Sequence, residues 1–417
     1  MALHTRRLGP DDPESVHVAS RRLGTEAFGA WPSDRTPPPL PVGDAWPAGV
    51  AMWATFDDEL PDPADPDGPL MVARVRTHDY TSWFGGASVP TTGYAGVAVT
   101  AEHRGGGLLN ELFAASLVES AEAGAALSTL YPTAPGIYRR FGYEVVAAYD
   151  TVEVPTTALA GVRPSPTVRT RRATPADVPA VLATYDTWAS AQNGPLTRRG
   201  PLFADAEKLL DEVFAVTLAE EPDTDGTARV VGFASWDRGS GYDLDSAIEV
   251  HDLVALTGDA ARALWRVLGS FSSVAGRIRL HTSDPDVTRL VLPSLAWERA
   301  AHHPYMLRIL DLPAAMAPRA LPVPGTVELE VADDPVGLLD GAWRLTALDG
   351  VAAAATRTGA ASGDLPRFTV AGVSLLYAGA QGTANLRMAG HLSGPTTYDA
   401  LLDAWFGGRQ THVRDYF

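Results

Sequence analysis

Cysteine is absent from the 417-residue sequence. A chain without thiols forms no disulfide, offers no thiolate ligand to a metal and cannot pass through a cysteinyl acyl-enzyme. Lysine is almost absent too, because Lys208 is its single occurrence and arginine carries nearly all of the positive charge. Any acyl transfer by this protein therefore uses another nucleophile, or proceeds directly from donor to acceptor.

Long apolar runs are also missing. No stretch approaches the ~18 consecutive apolar residues of a membrane span, and the N-terminus reaches Arg6 and Arg7 without the apolar core of a secretory signal. The formal net charge of -17 argues against nucleic-acid binding and suits a cationic small molecule. We therefore expect a cytoplasmic protein that binds neither membranes nor nucleic acids.

The pattern T-R-R-x-x-P-x-D occurs twice, at residues 5–12 and 170–177. In the second copy, Thr174 is suited to cap a helix, Pro175 to its first turn, and Asp177 to the positive end of the helix dipole. A chance match of short motifs is the alternative. The spacing indicates a duplicated domain.

Proline-rich breaks divide the chain, whose length predicts two to three domains. The segment 61–69 is acidic and proline-rich, so we expect a solvated loop within the first domain. The breaks at 164–166 and 313–324 are better candidates for boundaries. The predicted domains are residues 1–158, 159–312 and 313–417.

Strand-like and helical patterns alternate along the chain, which indicates an α/β or α+β protein. The predicted strands cover residues 94–99, 126–131, 229–236, 247–255 and 277–281, and the predicted helices cover residues 108–122, 260–270 and 397–406.

A glycine-rich turn is the most informative segment. The strand Val97-Ala98-Val99 leads to Arg104 and three glycines, and an apolar helical stripe begins at Leu108. Free N–H groups at a helix start, flexible glycines and a guanidinium together suit an anionic diphosphate. On this feature alone, a plain tight connection between strand and helix is an equally good interpretation.

Other nucleotide motifs do not match this turn. It is neither G-x-x-x-x-G-K-[ST] nor G-x-G-x-x-G followed by an acidic residue. The remaining pattern, R-x-x-G-x-L from Arg104 to Leu109, resembles the acetyl-CoA pyrophosphate loop of the GNAT superfamily of N-acetyltransferases.

A second motif makes the resemblance more specific. The segment 133–143 contains G-I-Y-x-R-F-G-Y, and together with V-A-V, H-R-x-x-G-L-L and a C-terminal phenylalanine it resembles the Eis (enhanced intracellular survival) family of amine acetyltransferases. The resemblance implies an α+β fold with mixed α/β sheets, in which tandem GNAT-like domains precede a sterol carrier protein-like C-terminal domain. It also implies a hexamer.

The same resemblance implies the site. Acetyl-CoA is the co-substrate, no metal takes part, and the acceptor is the amine of a small cationic molecule of aminoglycoside or polyamine type. Tyr138 is the general acid and the α-carboxylate of Phe417 the general base; the alternatives are a packing tyrosine and a frayed tail. The expected cofactor contacts are Val97, Ala98, Val99, Arg104, Gly105, Gly106, Gly107, Leu108, Leu109, Asn110, Thr133, Ala134 and Arg140.

Three departures from the family pattern concern affinity and specificity. Gly105-Gly106 stand where members commonly carry arginines, Thr133-Ala134 replace Ser-Glu, and Tyr416 replaces an acidic residue found in some members. Acceptor contacts are expected from Tyr416, Glu26 and Trp31, and Trp46 is a further candidate for the pocket wall. For Glu26, Trp31 and Trp46 the alternative is an ordinary surface or core position.

The second copy is expected to be catalytically silent, because the segment after strand 249–255 lacks the arginine and the glycine cluster. Three other functions stay open at this point. They are an acetyltransferase for protein or peptide amines, a non-enzymatic lipid or sterol carrier, and a structural protein, which the retained loop in one copy disfavours.

Overall fold

A computed structural model describes the chain except for seven short stretches or single residues, and its described part forms two β-sheets. No helix in this part is long and apolar enough to cross a bilayer. The described ranges are residues 2–33, 36–204, 208–222, 227–283, 286–348, 353–360 and 362–417.

The first third of the chain alternates strands and helices. Its elements are β1 (Leu3–Leu8), α1 (Glu14–Phe28), β2 (Val50–Asp62), β3 (Asp65–Phe84), β4 (Ala87–Val99), α2 (Leu108–Glu122), β5 (Leu127–Leu130), α3 (Pro135–Arg139) and β6 (Glu144–Pro155).

The middle third repeats this order with small differences. Its elements are β7 (Arg169–Arg172), α4 (Val178–Ala189), α5 (Leu209–Glu212), β8 (Ala215–Pro222), β9 (Ala228–Arg238), β10 (Ala247–Ala255), α6 (Gly258–Gly269), β11 (Arg277–Thr282) and β12 (Glu298–Ile309).

The last part forms a separate sheet with its own helices. Its elements are α7 (Leu312–Met316), β13 (Gly325–Val331), β14 (Gly341–Ala347), β15 (Ala354–Gly359), β16 (Arg367–Phe368), α8 (Val370–Ala378), α9 (Thr383–Met388), β17 (Leu392–Ser393) and α10 (Asp399–Phe406).

The two copies of the repeat share one twelve-stranded sheet by exchanging strands. Its order is β1-β2-β3-β4-β5-β12-β6-β11-β10-β9-β8-β7. Thus β12, from the second copy, lies between β5 and β6 of the first, and β6 in turn pairs with β11. Because neither copy completes its half of the sheet alone, the two fold as one structural unit.

The duplicated motif makes the same contacts in both copies. Arg6 pairs with Asp12 at 2.7 Å, and Arg171 pairs with Asp177 at 2.7 Å. The strands that carry the two arginines, β1 and β7, form the two edges of the large sheet. The predicted duplication is confirmed.

The acidic, proline-rich segment differs from the prediction. We expected a solvated loop at 61–69, but β2 and β3 extend into it and Pro61 pairs with Pro69. Asp62 is buried there, and the guanidinium of Arg22 donates to both of its carboxylate oxygens at 2.8 and 2.6 Å. This bidentate ion pair between Arg22 and Asp62 thus stabilises the tip of the hairpin, which has little apolar surface of its own.

The third unit is fastened to the large sheet through α8. All nine residues of α8 are buried, and the Ser374 hydroxyl accepts a hydrogen bond from the Ile309 amide of β12 at 3.1 Å. Beside it, the fully buried Arg308 pairs with Asp334 at 2.7 Å. These contacts hold the third unit against the twelve-stranded sheet, so that the last residues of the chain can lie along that sheet.

Candidate active site

The strands β4 and β5 separate at the carboxyl end of their pairing. They pair in parallel as far as Tyr94 opposite Leu130, and a bulge with Gly96 at φ +59° then bends β4. Thr100 donates its amide to Val72 on the β3 side, so the Val99 amide, one residue earlier, points the other way. We call this opening, between residues 95–99 and the end of β5, the β4–β5 gap.

The turn that follows β4 presents unused amides. Among the residues that the structure describes, none accepts a hydrogen bond from the N–H groups of residues 105–109. Gly105 and Gly107 have φ of +79° and +78°, a conformation that favours glycine. Gly107 is also the N-cap of α2, and a glycine has no side chain to occupy those donors. We call residues 104–107 the glycine loop.

Two further features hold the positive end of α2 and the side chain of Arg104 next to the β4–β5 gap. The buried residues Leu112, Phe113 and Leu117 hold α2 on the sheet, so its positive end stays at the loop. Arg104 is exposed, and its Nε donates to the carbonyl of Val99 at 3.3 Å, which keeps the guanidinium at the edge of the gap. The arrangement suits a diphosphate whose thioester arm enters between β4 and β5.

The remaining predicted cofactor contacts flank the same opening. Ala134 is the N-cap of α3 and Thr133 precedes it on the surface. Arg140 is exposed just after α3, whereas its neighbour Arg139 is bound to Glu144 at 2.8 Å. Leu108 and Leu109 are half-buried and Asn110 is exposed at the start of α2.

Tyr138 is held by aromatic packing. It is 6% exposed, and its ring centroid lies 5.6 Å from that of Phe113, which in turn packs 5.3 Å from Tyr94 of β4. No described residue hydrogen-bonds to its hydroxyl. Burial raises the pKa of Tyr138 to about 12, so the phenol is protonated at neutral pH.

The chain terminus is docked on the sheet. The ring of Phe417 lies 5.0 Å from that of Tyr80 and 5.3 Å from that of Tyr131. It also covers Gly93 so closely that a β-carbon there would lie 2.6 Å from the phenylalanine ring. No described arginine, lysine or histidine forms an ion pair with the terminal carboxylate. The terminus is therefore ordered, and its charge is not neutralised by a salt bridge.

The predicted base, Phe417, and the predicted acid, Tyr138, lie on opposite faces of the sheet at β4. Successive residues of a strand point to opposite sides of a sheet, and here Gly93 meets Phe417 while Tyr94 meets the cluster that contains Tyr138. Since β4 and β5 part immediately after these residues, a group held in the gap is accessible from both faces.

A cavity of about 400 Å³ opens beside the terminus. Aromatic residues form much of its lining, among them Tyr80, Phe203, Tyr416 and Phe417. Burial, helped by the charge of Arg76, lowers the pKa of the lining residue His78 to about 4, so this imidazole is neutral at physiological pH. We call the cavity the aromatic pocket.

Carboxylates outnumber available cations in the aromatic pocket. Asp252 and Asp415 line it and share Arg198, which donates to Asp252 at 2.8 and 3.0 Å and to Asp415 at 2.9 Å. Arg414 also lines it but is already paired with Asp286 at 2.7 Å. The unpaired terminal carboxylate adds a further negative charge.

The predicted acceptor contacts are distributed unevenly. Tyr416 lines the aromatic pocket, and its ring centroid lies 4.5 Å from that of Tyr131. Glu26 instead accepts the amide of Ala101 at 2.8 Å, just before the glycine loop, and Trp31 lies 51% exposed on the surface.

Trp46 donates to the carbonyl of Val50 at 3.0 Å and packs against His17. Neither this side chain nor those of Glu26 and Trp31 are among the described residues that line the pocket. The direct acceptor contacts predicted for them stay predictions.

Several residues at the site carried no signal in the sequence. Tyr80, Arg198 and Asp252 lie in strands or loops without a motif, and they meet only because β3, β10 and the terminus converge. One local feature marks Arg198, whose φ of +52° is uncommon for a residue with a β-carbon.

Comparisons with known proteins agree with this geometry. Residues 66–146 and, separately, residues 194–309 match family models described as acetyltransferase (GNAT) domains. A Streptomyces avermitilis protein named as an uncharacterized N-acetyltransferase is 29% identical over 339 residues, covering 77% of this chain and 82% of the relative. N-acetyltransferase Eis of Mycobacterium tuberculosis is 30% identical over 242 residues, and the match covers 55% of this chain and 58% of the Eis chain.

A solved structure matches over the whole length. The crystal structure of a GCN5-related N-acetyltransferase from Kribbella flavida has a TM-score of 0.78 and 28% sequence identity, and the match covers 100% of this chain and 99% of that one.

Proposed function

Because this chain is an Eis-like member of the GNAT superfamily and an N-acetyltransferase, we propose that it acetylates the amine of a small cationic acceptor. The acceptor is of aminoglycoside or polyamine type, and the acetyl group passes directly from acetyl-CoA. The observation that carries the proposal is the β4–β5 gap, with free amides on one side and the chain terminus beside a carboxylate-rich pocket on the other.

Acetyl-CoA is held by the glycine loop and the flanking strand. The amides of residues 105–109 and Arg104 bind the diphosphate, and the strand Val97-Ala98-Val99 offers backbone N–H to the thioester carbonyl, where negative charge develops. The full set of proposed contacts is Val97, Ala98, Val99, Arg104, Gly105, Gly106, Gly107, Leu108, Leu109, Asn110, Thr133, Ala134 and Arg140. The glycines at 105 and 106 leave this cradle with fewer cations than the family pattern has.

The reaction forms one bond and breaks another. The acceptor nitrogen attacks the thioester carbon, the carbon–sulfur bond breaks, and the departing thiolate takes a proton from the Tyr138 hydroxyl. The proton that the amine loses goes to the Phe417 carboxylate, directly or through water. The phenol of Tyr138 is protonated at neutral pH, as a proton donor to the thiolate must be.

A cationic acceptor is supported by the aromatic pocket. Aromatic faces attract ammonium groups, and Tyr80, Phe203 and Tyr416 surround the terminus. Asp252, Asp415 and the terminal carboxylate exceed the positive charge of Arg198. The overall charge of -17 also draws cations toward the protein.

A thiol-release assay tests the proposal. Purified protein with acetyl-CoA is given spermidine, kanamycin or a short peptide with a free amine, and free CoA is measured. We expect turnover with the two small polycations and little with the peptide. Preference for the peptide would contradict the acceptor class, and absence of release with every amine would contradict the activity on these acceptors.

We also propose that the third unit is a sterol carrier protein-like domain and that the chain assembles as a hexamer. The five-stranded sheet with its buried α8 supports the first idea. Because all of α8 is packed against other parts of the fold, we assign this unit the support of the terminus rather than lipid transport. Sedimentation equilibrium would test the assembly.

A further inference from the structure

The second copy contains its own version of the β4–β5 gap. The strands β10 and β11 pair in parallel as far as Val250 opposite Leu280, and a bulge at residue 251 then bends β10. The first copy has the same arrangement, because the pairing of β4 with β5 ends at Tyr94 opposite Leu130 and a bulge in β4 follows. We call the opening beyond Val250 the β10–β11 gap.

The β10–β11 gap is not suited to a diphosphate. Only residues 256 and 257 separate β10 from α6, whereas residues 100–107 separate β4 from α2. The hydroxyl of Thr257 accepts the amide of Ala260 at 3.1 Å and so caps the helix start. In the first copy, Gly107 occupies the capping position without a side chain.

A side chain from the C-terminal segment fills this gap. One guanidinium nitrogen of Arg414 donates to the carbonyl of Leu253 on β10 at 3.0 Å, and another donates to the carbonyl of His281 on β11 at 3.2 Å. Leu253 lies three residues beyond the end of pairing, as Val97 does in the first copy. Arg414 thus bridges two strands at the level where the first copy leaves its gap open.

The charge of Arg414 is satisfied inside the protein. Its guanidinium donates to Asp286 at 2.7 Å, and the two side chains are each 1% exposed. Asp286 is itself oriented by the amide and hydroxyl of Thr288, at 2.8 and 2.7 Å. The ring of Trp188 lies 4.9 Å from the guanidinium carbon. These contacts form a binding site for the side chain of Arg414.

The residue after Arg414 is held as firmly. The carboxylate of Asp415 accepts a hydrogen bond from Arg198 at 2.9 Å. Arg198 also donates to Asp252 of β10, and its guanidinium carbon lies 4.1 Å from the ring centroid of Tyr185. From the first copy, the Tyr131 hydroxyl donates to the backbone carbonyl of Asp415 at 2.6 Å. Two residues later the chain ends at Phe417, whose ring covers Gly93.

We propose that the β10–β11 gap is the docking site of residues 410–417, and that Arg414 and Arg198 are positioning residues that hold the Phe417 carboxylate at the first copy's gap. The second copy thereby keeps a role in the reaction without binding a cofactor. The link to turnover rests on the proposed function, whereas the docking itself does not.

The test separates docking from catalysis. Arg414→Gln and Arg198→Gln are compared with the unaltered protein by carboxypeptidase trimming, followed by intact mass spectrometry. The same proteins are assayed for kcat and for the KM of acetyl-CoA, and circular dichroism confirms their folding. Arg238→Gln is the matched control, because Arg238 also donates to carbonyls of the second copy, those of Gly241 and Val274, but does not contact the C-terminal segment.

We expect each test variant to lose its last residues at least about tenfold faster than the unaltered protein. We also expect kcat to fall roughly 10²-fold with little change in the KM of acetyl-CoA, as displacement of a reacting group by about 1 Å can produce. The control should match the unaltered protein in both. If Arg414→Gln does not fold, Arg198→Gln decides by the same measurements.

Trimming of both variants at the unaltered rate would overturn the docking proposal. Faster trimming with full turnover would support docking but refute the base role of Phe417, so the two claims fail separately. A rise in the KM of acetyl-CoA with unchanged kcat would overturn the positioning role, because it would place the two arginines in cofactor binding.

Discussion

At the scale of single residues, Tyr138 is distinctive because the fold does not use its hydroxyl. Its ring packs against Phe113, but no described residue bonds to its oxygen. By contrast, Tyr143 is fully buried and its hydroxyl is hydrogen-bonded to that of Ser128. The two tyrosines lie 6.4 Å apart between ring centroids, which makes them a matched pair for separating catalysis from stability.

We predict that Tyr138→Phe lowers kcat roughly 10²-fold or more, because the thiolate then leaves without a proton donor. Its stability should change little. The control Tyr143→Phe should lose about 1 kcal/mol of unfolding free energy with its hydrogen bond and keep its activity. Thiol release and urea denaturation measure both effects, and a fully active Tyr138→Phe would remove the acid from the mechanism.

Gly93 provides the space in which Phe417 sits. A β-carbon at this position would lie 2.6 Å from the phenylalanine ring and 2.7 Å from that of Tyr80. We therefore expect Gly93→Ala to displace the terminus and lower kcat roughly 10²-fold. Gly359→Ala, on β15, is the control, because a β-carbon there has no atom within 4 Å. Equal kcat values for the two variants would contradict the account.

His412 predicts a pH dependence of stability. Burial and the charge of Arg414 lower the pKa of His412 to about 3, against the opposite effect of Asp286. In the unfolded chain a histidine titrates near ~6.5. Between these two values the unfolded state binds a proton that the folded state does not, so stability falls as the pH falls below about 6.5.

From this side chain we expect the free energy of unfolding to drop by about 2 kcal/mol between pH 7 and pH 5. Urea denaturation of the unaltered protein and of His412→Gln measures the difference, which should be smaller in the variant. His303→Gln, at an exposed position of β12, should behave like the unaltered protein. Equal losses in all three proteins would show that His412 does not cause the effect.

At the scale of elements, the glycine loop depends on two residues with positive φ. Ala at such a position costs roughly 1 kcal/mol and shifts the neighbouring amides. We predict that Gly107→Ala raises the KM of acetyl-CoA severalfold. Gly124→Ala, after the C-cap of α2, has a comparable φ of +95° with open space around it, so it should cost similar stability and leave the KM unchanged. The same KM in both variants would contradict a cradle at residue 107.

Local patterns predicted the helices and strands that have clear periodicity. The bounds of α2 and β10 agree with the prediction, and a helical segment starts after Thr174 as predicted, where Thr174 and Asp177 form a capping box. The hairpin at 61–69 was missed, because its stability comes from a distant arginine, Arg22, rather than from an apolar pattern.

Contacts between distant parts of the chain could not be predicted. The insertion of β12 between β5 and β6 depends on pairing with strands that are far away in the sequence, and no local pattern in these strands indicates which partner each will take. The pocket residues Tyr80 and Asp252 were missed for the same reason. The terminal Phe417 was nominated through family resemblance alone, and nothing in its neighbours indicated where Arg414 would bind.

At the scale of the whole molecule, duplication produced two similar gaps with different occupants. The first has a glycine-rich turn with free amides, and Arg104 stands at its edge. The second has a capped helix start and holds Arg414. We therefore propose that one gap binds the donor and that the other holds the end of the chain that serves it.

Isothermal titration of the purified protein with CoA measures this difference most directly. We predict saturable binding of a single CoA per chain, and a severalfold weaker affinity in Gly107→Ala. Binding of two equivalents per chain would contradict the closed second gap. The absence of any heat of binding would contradict the cradle at the start of α2.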